Sequence, residues 1–167
     1  MSERLLFVAT LAAAIGCGAV GGAFLAFSTF VMRALGRLPA PRAVAAMQAI
    51  NLEAVRPAFL SAFLGTAAVC AVVGVEAVVA WHRPGAALRL AGAALYLAGT
   101  LLLTIAYHVP RNDALGAKDP EGPDAANAWR RYTRGWTAWN HVRTAAALAG
   151  AAALILGLPF PRDAFPD

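Results

Sequence analysis

The sequence predicts an all-α fold, an integral membrane four-helix bundle with short interfacial helices in its two long connections. Of its 167 residues, 60% are hydrophobic, and the mean hydropathy is +0.61. Only 14% are charged, whereas water-soluble domains usually carry about 25%. The apolar residues also gather in four stretches that reach the roughly 20 residues needed to cross a bilayer. We therefore predict that residues 1–167 form a single membrane domain whose main partner is the lipid bilayer.

Four membrane spans are predicted, at about residues 5–32, 58–81, 90–109 and 137–158. The first follows Arg4 and runs without a charge to Arg33, which is too long for the apolar region of a signal peptide, so a retained helix is expected. Pro57 favours the start of the second span, because proline is well accommodated in the first turn of a helix. A Pro-Gly pair in residues 82–87 predicts a short turn between the second and third spans.

The other two connections are long, and each is predicted to contain a short amphipathic helix at the membrane interface. The first of these helices covers about residues 41–51 and starts at a proline. The second covers about residues 124–134, with Asp124 as its N-terminal cap. At the end of the third span, Pro110 predicts a kink or a helix end, because proline lacks the backbone donor that a helix interior needs.

The distribution of basic residues predicts the topology. With four spans, both long connections lie on one side, and both termini and the short turn lie on the other. Ten of the 14 Lys and Arg residues belong to the first side, while four, including Arg162, belong to the second. The positive-inside rule then predicts a multi-pass cell-membrane protein with cytoplasmic long connections and external termini. Because the basic residues are scattered, the net charge of +5 does not predict nucleic-acid binding.

Small residues in the spans predict close helix packing. Gly18 and Gly22 form a GxxxG pair, and Gly92 and Gly99 lie two turns apart in the third span. The two cysteines lie inside apolar runs without a CxxC or zinc-type spacing, so we interpret them as buried packing thiols. The pattern is compatible with a single chain and with a homo-oligomer.

Polar side chains collect at the predicted cytoplasmic ends of the spans. His108 and Asn112 are four residues apart and share a face if the helix continues past Pro110. Asn140 and Arg143 lie on adjoining turns of the fourth span. If the third and fourth spans are antiparallel neighbours, these residues form a polar pocket that opens to the cytoplasm. The candidates on this side are Gln48, Asn51, His108, Asn112, Asp113, Trp136, Trp139, Asn140, His141 and Arg143.

Each candidate also has an ordinary interpretation. Trp136 and Trp139 are typical of an aromatic belt at the membrane boundary, and Arg143 could extend to lipid phosphates. His108 near a helix end is compatible with a simple interfacial residue. His141 lies one turn inside the span, where ionisable groups are costly and usually functional. Two histidines are too few to predict a metal site.

Four segments together resemble one known family. They are "GGAFLAFSTFVMRAL" (21–35), "AMQAIN" (46–51), "YHVPRNDAL" (107–115) and "RRYTRGWTAWNHVRT" (130–144). In combination they resemble the anthrone oxygenase-like family of small four-helix membrane proteins, over about residues 5–158. The resemblance implies a membrane oxygenase-like fold. Fungal relatives convert anthrones to anthraquinones with molecular oxygen, whereas bacterial relatives outside such pathways generally have no assigned activity. The family commonly has asparagine where this chain has His108.

The resemblance suggests a reaction for the predicted pocket. In this hypothesis His141, oriented by Asn140 or Asp113, removes an acidic proton from an aromatic ketone-like substrate. Arg143 and Asn112 stabilise the resulting enolate in the manner of an oxyanion hole, and the anion reacts with oxygen.

The same hypothesis assigns the other candidates. His108 is a further catalytic candidate, and a hydrophobic small molecule of anthrone or quinone type is held by Trp136, Trp139, Phe27, Phe30, Gln48 and Asn51. The competing interpretation is a non-enzymatic membrane protein, which binds or transports a small ligand or is a subunit of a larger complex. Neither interpretation identifies a cofactor.

Overall fold

A computed structural model describes residues 1–159, and in this part of the chain the backbone forms helices and short connections only. Residues 160–167, which include the Arg162 counted for the topology, lie outside the described residues. The five helices are α1 (Glu3–Leu35), α2 (Ala40–Ala54), α3 (Pro57–Val79), α4 (Ala86–Gly116) and α5 (Ala125–Leu156). The four long helices form a bundle and α2 covers one of its ends. The predicted all-α membrane bundle is confirmed.

Three of the helices, α1, α3 and α4, are long and apolar enough to cross a membrane. Within residues 1–159, α5 does not meet the same measure of length and apolarity. The physical reason is its composition: Asn140, His141 and Arg143 lie within the fourth predicted span, and alanines and glycines make up much of the rest. The crossing of the membrane by α5 stays a prediction.

Helix α5 corrects two predicted boundaries. The predicted interfacial helix at 124–134 and the predicted span at 137–158 are parts of one continuous helix, Ala125–Leu156. No proline interrupts it, and Gly135 contributes to packing, because a Cβ there would lie 2.6 Å from the Tyr107 hydroxyl. Asp124 occupies the N-cap position, but its side chain makes no capping hydrogen bond.

Helix α4 continues past Pro110 to Gly116, so the predicted helix end at this proline is wrong. Before the proline, α4 widens into π-helical turns at Leu97–Leu102 and Thr104–His108, and α1 has another at Phe27–Val31. A π-turn adds a residue to the helical repeat and often marks a functional site.

The predicted small-residue face of the third span packs α4 against α5. A Cβ on Gly92 would meet Leu154 Cγ at 2.7 Å, and one on Gly99 would meet Ala146 Cβ at 2.5 Å. The GxxxG pair Gly18 and Gly22 does not pack in this way, because a Cβ at either would have no heavy atom of residues 1–159 within 4 Å. Within residues 1–159 this pair therefore forms no close helix contact.

The two ends of the bundle differ. At one end, which we call the connection end, both long connections meet in a hydrophobic cluster of Met32, Leu35, Ala43, Val44, Met47, Leu115, Trp129, Tyr132 and Trp136. The opposite end, the hairpin end, holds the tight turn between α3 and α4, where Gly85 has the left-handed φ of 77°. Between the ends, Cys17 and Cys70 are buried free thiols with Sγ atoms 3.7 Å apart, as interpreted from the sequence.

The hairpin end contains a buried ion pair. Arg89 is fully buried, and its Nη1 donates to the carbonyl oxygens of Pro84 (2.9 Å) and Gly157 (3.1 Å). The carboxylate of Glu76 lies 3.5 Å from Arg89 Nη2 and 3.2 Å from Arg83 Nη1. The buried charge of Arg89 therefore has a counter-ion at this end of the bundle.

Candidate functional site

At the connection end, all five helices contribute to the wall of a cavity of about 460 Å³. This volume lies within the range of small-molecule sites in proteins, roughly 300–1,000 Å³. Aromatic and aliphatic side chains form most of the wall. They include Phe24, Phe27, Met47, Phe59, Phe63 and Trp136. The polar side chains are few: Asn51, Thr104, Asn112 and Arg143 line the cavity, with Glu53 also among the lining residues.

Arg143 is held rigidly on one wall of this cavity. Its Nε donates to Asn140 Oδ1 at 2.8 Å, and its Nη1 donates to Thr104 Oγ1 at 3.3 Å. The guanidinium carbon lies 3.8 Å from the centre of the Phe24 ring and 5.0 Å from that of Trp136. Cation–π contacts and charge-assisted hydrogen bonds together fix the direction of the guanidinium.

The charge of Arg143 has no counter-ion in the described chain. Its exposed fraction is 5%, yet no Asp or Glu oxygen of residues 1–159 lies within 4.0 Å of it. An arginine does not lose its proton in a protein, so burial cannot neutralise it. A buried and unpaired charge is strongly unfavourable. The arrangement therefore creates a strong preference for an anion inside the cavity.

Asn140 positions Arg143 and joins α5 to α1. Its Nδ2 donates to the Phe24 carbonyl oxygen and to Ser28 Oγ, both at 2.8 Å, while its Oδ1 accepts from Arg143. Ser28 lies in the π-turn of α1 and also contacts Thr144 Oγ1 at 3.2 Å. All hydrogen-bonding atoms of the Asn140 amide are engaged, so its role in this geometry is to orient the guanidinium.

Asn112 is oriented by two aromatic donors. Its Oδ1 accepts from the Tyr132 hydroxyl at 2.8 Å and from Trp136 Nε1 at 3.0 Å. Burial raises the pKa of the Tyr132 phenol, which keeps this hydroxyl protonated and able to donate. Both of these hydrogen bonds use the Oδ1 atom, so the Nδ2 group of Asn112 remains as a donor at the cavity.

A second, more polar pocket of about 450 Å³ adjoins the cavity, with which it shares Asn51, Val55, Val109 and Asn112. We call it the vestibule; its other lining residues are Gln48, Leu52, Asp113 and Gly116. Asn51 Nδ2 is buried without a partner in the described chain. The Gln48 Nε2 group instead donates to the carbonyls of Leu115 (2.9 Å) and Lys118 (2.8 Å), which ties α2 to the end of α4.

Seven of the twelve predicted site residues do not line the cavity: Phe30, Gln48, His108, Asp113, Trp139, Asn140 and His141. Gln48 and Asp113 line the vestibule instead, and Asn140 acts through Arg143. Phe30 and Trp139 are largely exposed, and the Trp139 ring lies 5.1 Å from that of Tyr107. His141 is also exposed, and it makes no hydrogen bond to Asn140 or Asp113. Adjacent residues of a helix point in different directions, so burying Asn140 turns His141 outward. The predicted role of His141 as the base has no support from its position.

His108 has an unusual environment. Its exposed fraction is 1%, and neither ring nitrogen has a hydrogen-bond partner among residues 1–159. The imidazole packs edge-on against Trp136, with ring centres 5.1 Å apart, and does not line the cavity. No three His, Cys, Asp or Glu side chains of the described residues are grouped so that they could hold a metal ion.

The sequence prediction missed most of the aromatic wall. Phe59 and Phe63 of α3 stack with ring centres 6.2 Å apart, and Phe24 contacts both rings edge-on. The spacing of Phe59 and Phe63, four residues apart, was the available signal. It was not informative by itself, because phenylalanines in a membrane span face lipid as readily as they face a cavity.

The fold and the site define a helical membrane protein with an internal, mostly apolar small-molecule cavity. A family model described as anthrone oxygenase matches residues 54–153, which is more than half of the chain. The chain therefore belongs to the anthrone oxygenase family, as its motifs indicated. The match includes Asn112, Asn140 and Arg143, whereas α1 with Phe24 lies outside it. The comparison with curated proteins found no match, and neither did the comparison with solved structures.

Proposed function

We propose that this protein oxidises a flat, acidic aromatic ketone of the anthrone type with molecular oxygen, in the cavity beside Arg143. One observation carries the proposal: a buried, oriented guanidinium without a counter-ion lies in a wall that is otherwise mostly aromatic and aliphatic. A ligand that satisfies both features has a large apolar surface and a single oxygen that becomes negative.

An anthrone-type substrate has these properties. Loss of a proton from the CH₂ group between its aromatic rings gives an enolate, with the negative charge mainly on the carbonyl oxygen. Arg143 and the Nδ2 group of Asn112 are the donors that stabilise this charge. Thr104 is unsuited to act as the base, because its hydroxyl already donates to the Thr100 carbonyl at 2.7 Å and accepts from Arg143.

The reaction balances with oxygen as the only co-reactant. The carbon of the enolate adds O₂ and becomes a peroxide, which takes up a proton. Loss of water from this hydroperoxide then leaves a new carbonyl group, so one oxygen atom enters the quinone product and the other leaves as water. The ring walls of Phe24, Phe63 and Trp136 hold the flat substrate and exclude bulk water.

The proton that the substrate CH₂ group loses leaves towards the vestibule side of the cavity. Asp113 lines the vestibule and Glu53 lines the cavity, while the vestibule adjoins the cavity at Asn51 and Asn112. Asp113, Glu53 or a water molecule accepts the proton at the place where the vestibule adjoins the cavity. In the predicted topology this side faces the cytoplasm.

The test is oxygen consumption and anthraquinone formation by the purified protein in lipid nanodiscs supplied with anthrone. Arg143→Ala should lower the rate about 10²–10³-fold, the usual cost of removing one donor from an oxyanion site. The matched control is Arg134→Ala, which removes an exposed arginine from the same helix. Protein-free nanodiscs measure spontaneous oxidation. Equal rates for Arg143→Ala and the unchanged protein would refute the proposal.

A second candidate is a non-enzymatic carrier or binder of hydrophobic anions. It is favoured by the scarcity of titratable groups in the wall, where Glu53 is the only carboxylate among the residues that line the cavity. In that case anthrone or an anionic analogue binds in an Arg143-dependent way, but oxygen consumption in the presence of protein equals that of empty nanodiscs.

A further inference from the structure

We propose that the ligand reaches the cavity sideways from the lipid phase, through an apolar portal between α3 and α4. We call this opening the lateral portal; it is bounded by Leu60 and Leu64 on α3 and by Ile105 and Val109 on α4. The proposal rests on the proposed function only for the kind of ligand, a flat and lipid-soluble aromatic molecule.

The portal residues belong to two surfaces at once. All four line the cavity. Yet Leu64, Ile105 and Val109 are also 48%, 54% and 43% exposed on the outside of the bundle. Side chains that are exposed outside and also line the cavity show where its wall is one side chain thick; Val55, 64% exposed, is such a residue on the vestibule side. Both helices that carry the portal residues are apolar enough to cross a membrane, so the exposed surface faces acyl chains.

The opening follows from how α4 packs along its length. Near the hairpin end α4 lies against α3: a Cβ on Gly74 would meet Ala93 Cβ at 3.2 Å, and the rings of Phe63 and Tyr96 are 6.1 Å apart. Beyond Tyr96, α4 packs closely on α5 through the Gly99 contact and the Thr100 hydrogen bond to the Arg143 carbonyl. The packing of α3 on α4 is accordingly concentrated before Leu102.

The chemistry of the two openings differs. The two openings meet at Val109, which borders both. The other residues that bound the lateral portal are apolar, whereas the vestibule has Gln48, Asn51 and Asp113. Arg143 lies on α5, outside the portal itself. An uncharged aromatic ketone partitions into the lipid and passes the apolar edges, but an ion would lose its hydration there. Under the proposed function, the substrate enters neutral and becomes an anion only beside Arg143.

The first test uses anthracene, a neutral probe that does not require Arg143. Vesicles loaded with anthracene are mixed with nanodiscs, and energy transfer from tryptophan reports binding. The double variant Leu64→Phe with Ile105→Phe should narrow the portal and slow association about tenfold, with equilibrium occupancy within about twofold. The matched control places phenylalanine at Val75 and Leu102, which are exposed on the same two helices and do not line the cavity.

A second double variant keeps the test valid if the phenylalanine variant does not fold. Leu64→Ala with Ile105→Ala widens the portal and should speed association severalfold. In the unchanged protein, the rate should follow the anthracene content of the membrane. Trp136→Phe should lower the energy transfer, because Trp136 lines the cavity, while the other tryptophans remain as donors. Portal variants with the association rates of the control would overturn the proposal.

The two proposals fail in different ways. If the lateral portal is wrong, the portal variants match their controls, while Arg143→Ala still abolishes anthrone oxidation. If the oxidation is wrong, Arg143→Ala changes nothing, while the portal variants still alter the rate of anthracene binding.

Discussion

Two arginines of residues 1–159 are buried, Arg89 and Arg143, and their surroundings are opposites. Arg89, at the hairpin end, has a carboxylate 3.5 Å away and donates to two backbone carbonyls in a closed environment. Arg143, at the connection end, has an amide, a hydroxyl and two aromatic rings, but no carboxylate among residues 1–159. The Arg89 guanidinium links the α3–α4 turn to the end of α5 and to Glu76. The Arg143 guanidinium borders a cavity, where a bound anion would supply the missing counter-charge.

The largest effect is expected from breaking the pair at the hairpin end. Glu76→Gln leaves Arg89 buried without its counter-charge, which should lower the free energy of unfolding by about 3–5 kcal/mol. Denaturation in mixed detergent micelles measures this change. The control is Glu53→Gln, because the exposed Glu53–Arg56 pair at 3.1 Å should contribute at most about 1 kcal/mol. If Glu76→Gln and Glu53→Gln lowered the free energy of unfolding equally, the Glu76–Arg89 pair would be no more important than an exposed pair.

An intermediate effect is expected when Arg143 is given a carboxylate partner of the kind that Arg89 already has. Thr104→Asp places a carboxylate where a hydroxyl oxygen now lies 3.3 Å from Arg143 Nη1. The internal anion should compete with the ligand and lower its affinity about tenfold or more, since a close buried pair couples strongly. Stability should stay the same or rise. Titration with anthracene-9-carboxylate measures the affinity. Thr104→Val is the control, and an undiminished affinity in Thr104→Asp would contradict the anion assignment.

The smallest effect is expected from His141→Ala. His141 is exposed and does not line the cavity, so anthrone oxidation should stay within about twofold, as for other surface substitutions. The same oxygen assay measures it, next to Asn140→Ala, which removes the group that orients Arg143. A loss with His141→Ala as large as that with Arg143→Ala would restore the sequence-based hypothesis and place the reaction on the other face of α5.

These expectations also mark the limits of the sequence prediction. The apolar runs predicted the long helices, because their length and composition suit only the interior of a membrane. Among the polar side chains that the sequence places at one end of the spans, Asn51, Asn112 and Arg143 line the cavity. What could not be predicted was the rotation of α5. Packing of Ala146 against Gly99 sets that rotation, and it directs Asn140 inward and His141 outward.

The continuity of the helices was equally hard to predict from local signals. Proline at position 110 and the change of composition near Gly135 both suggested helix ends. In the structure, π-helical turns precede Pro110 and the helix continues through it. Gly135 lies inside a continuous helix, where its lack of a Cβ leaves room for the Tyr107 hydroxyl. The phenylalanines of α3 show the remaining gap, since only the folded bundle distinguishes a ring that faces a ligand site from one that faces lipid.

The widened turns of α4 have a consequence for how the site can change. Each residue of an α-helix turns the chain by about 100°, so a turn with one additional residue shifts the angular phase of everything beyond it. Deleting a single residue within Thr104–His108 would rotate Asn112 away from the cavity and leave the seam at Gly92 and Gly99 in place. The shape of the cavity can therefore change here by the length of the chain as well as by a side chain, and an alignment that forbids gaps inside helices would miss such a change.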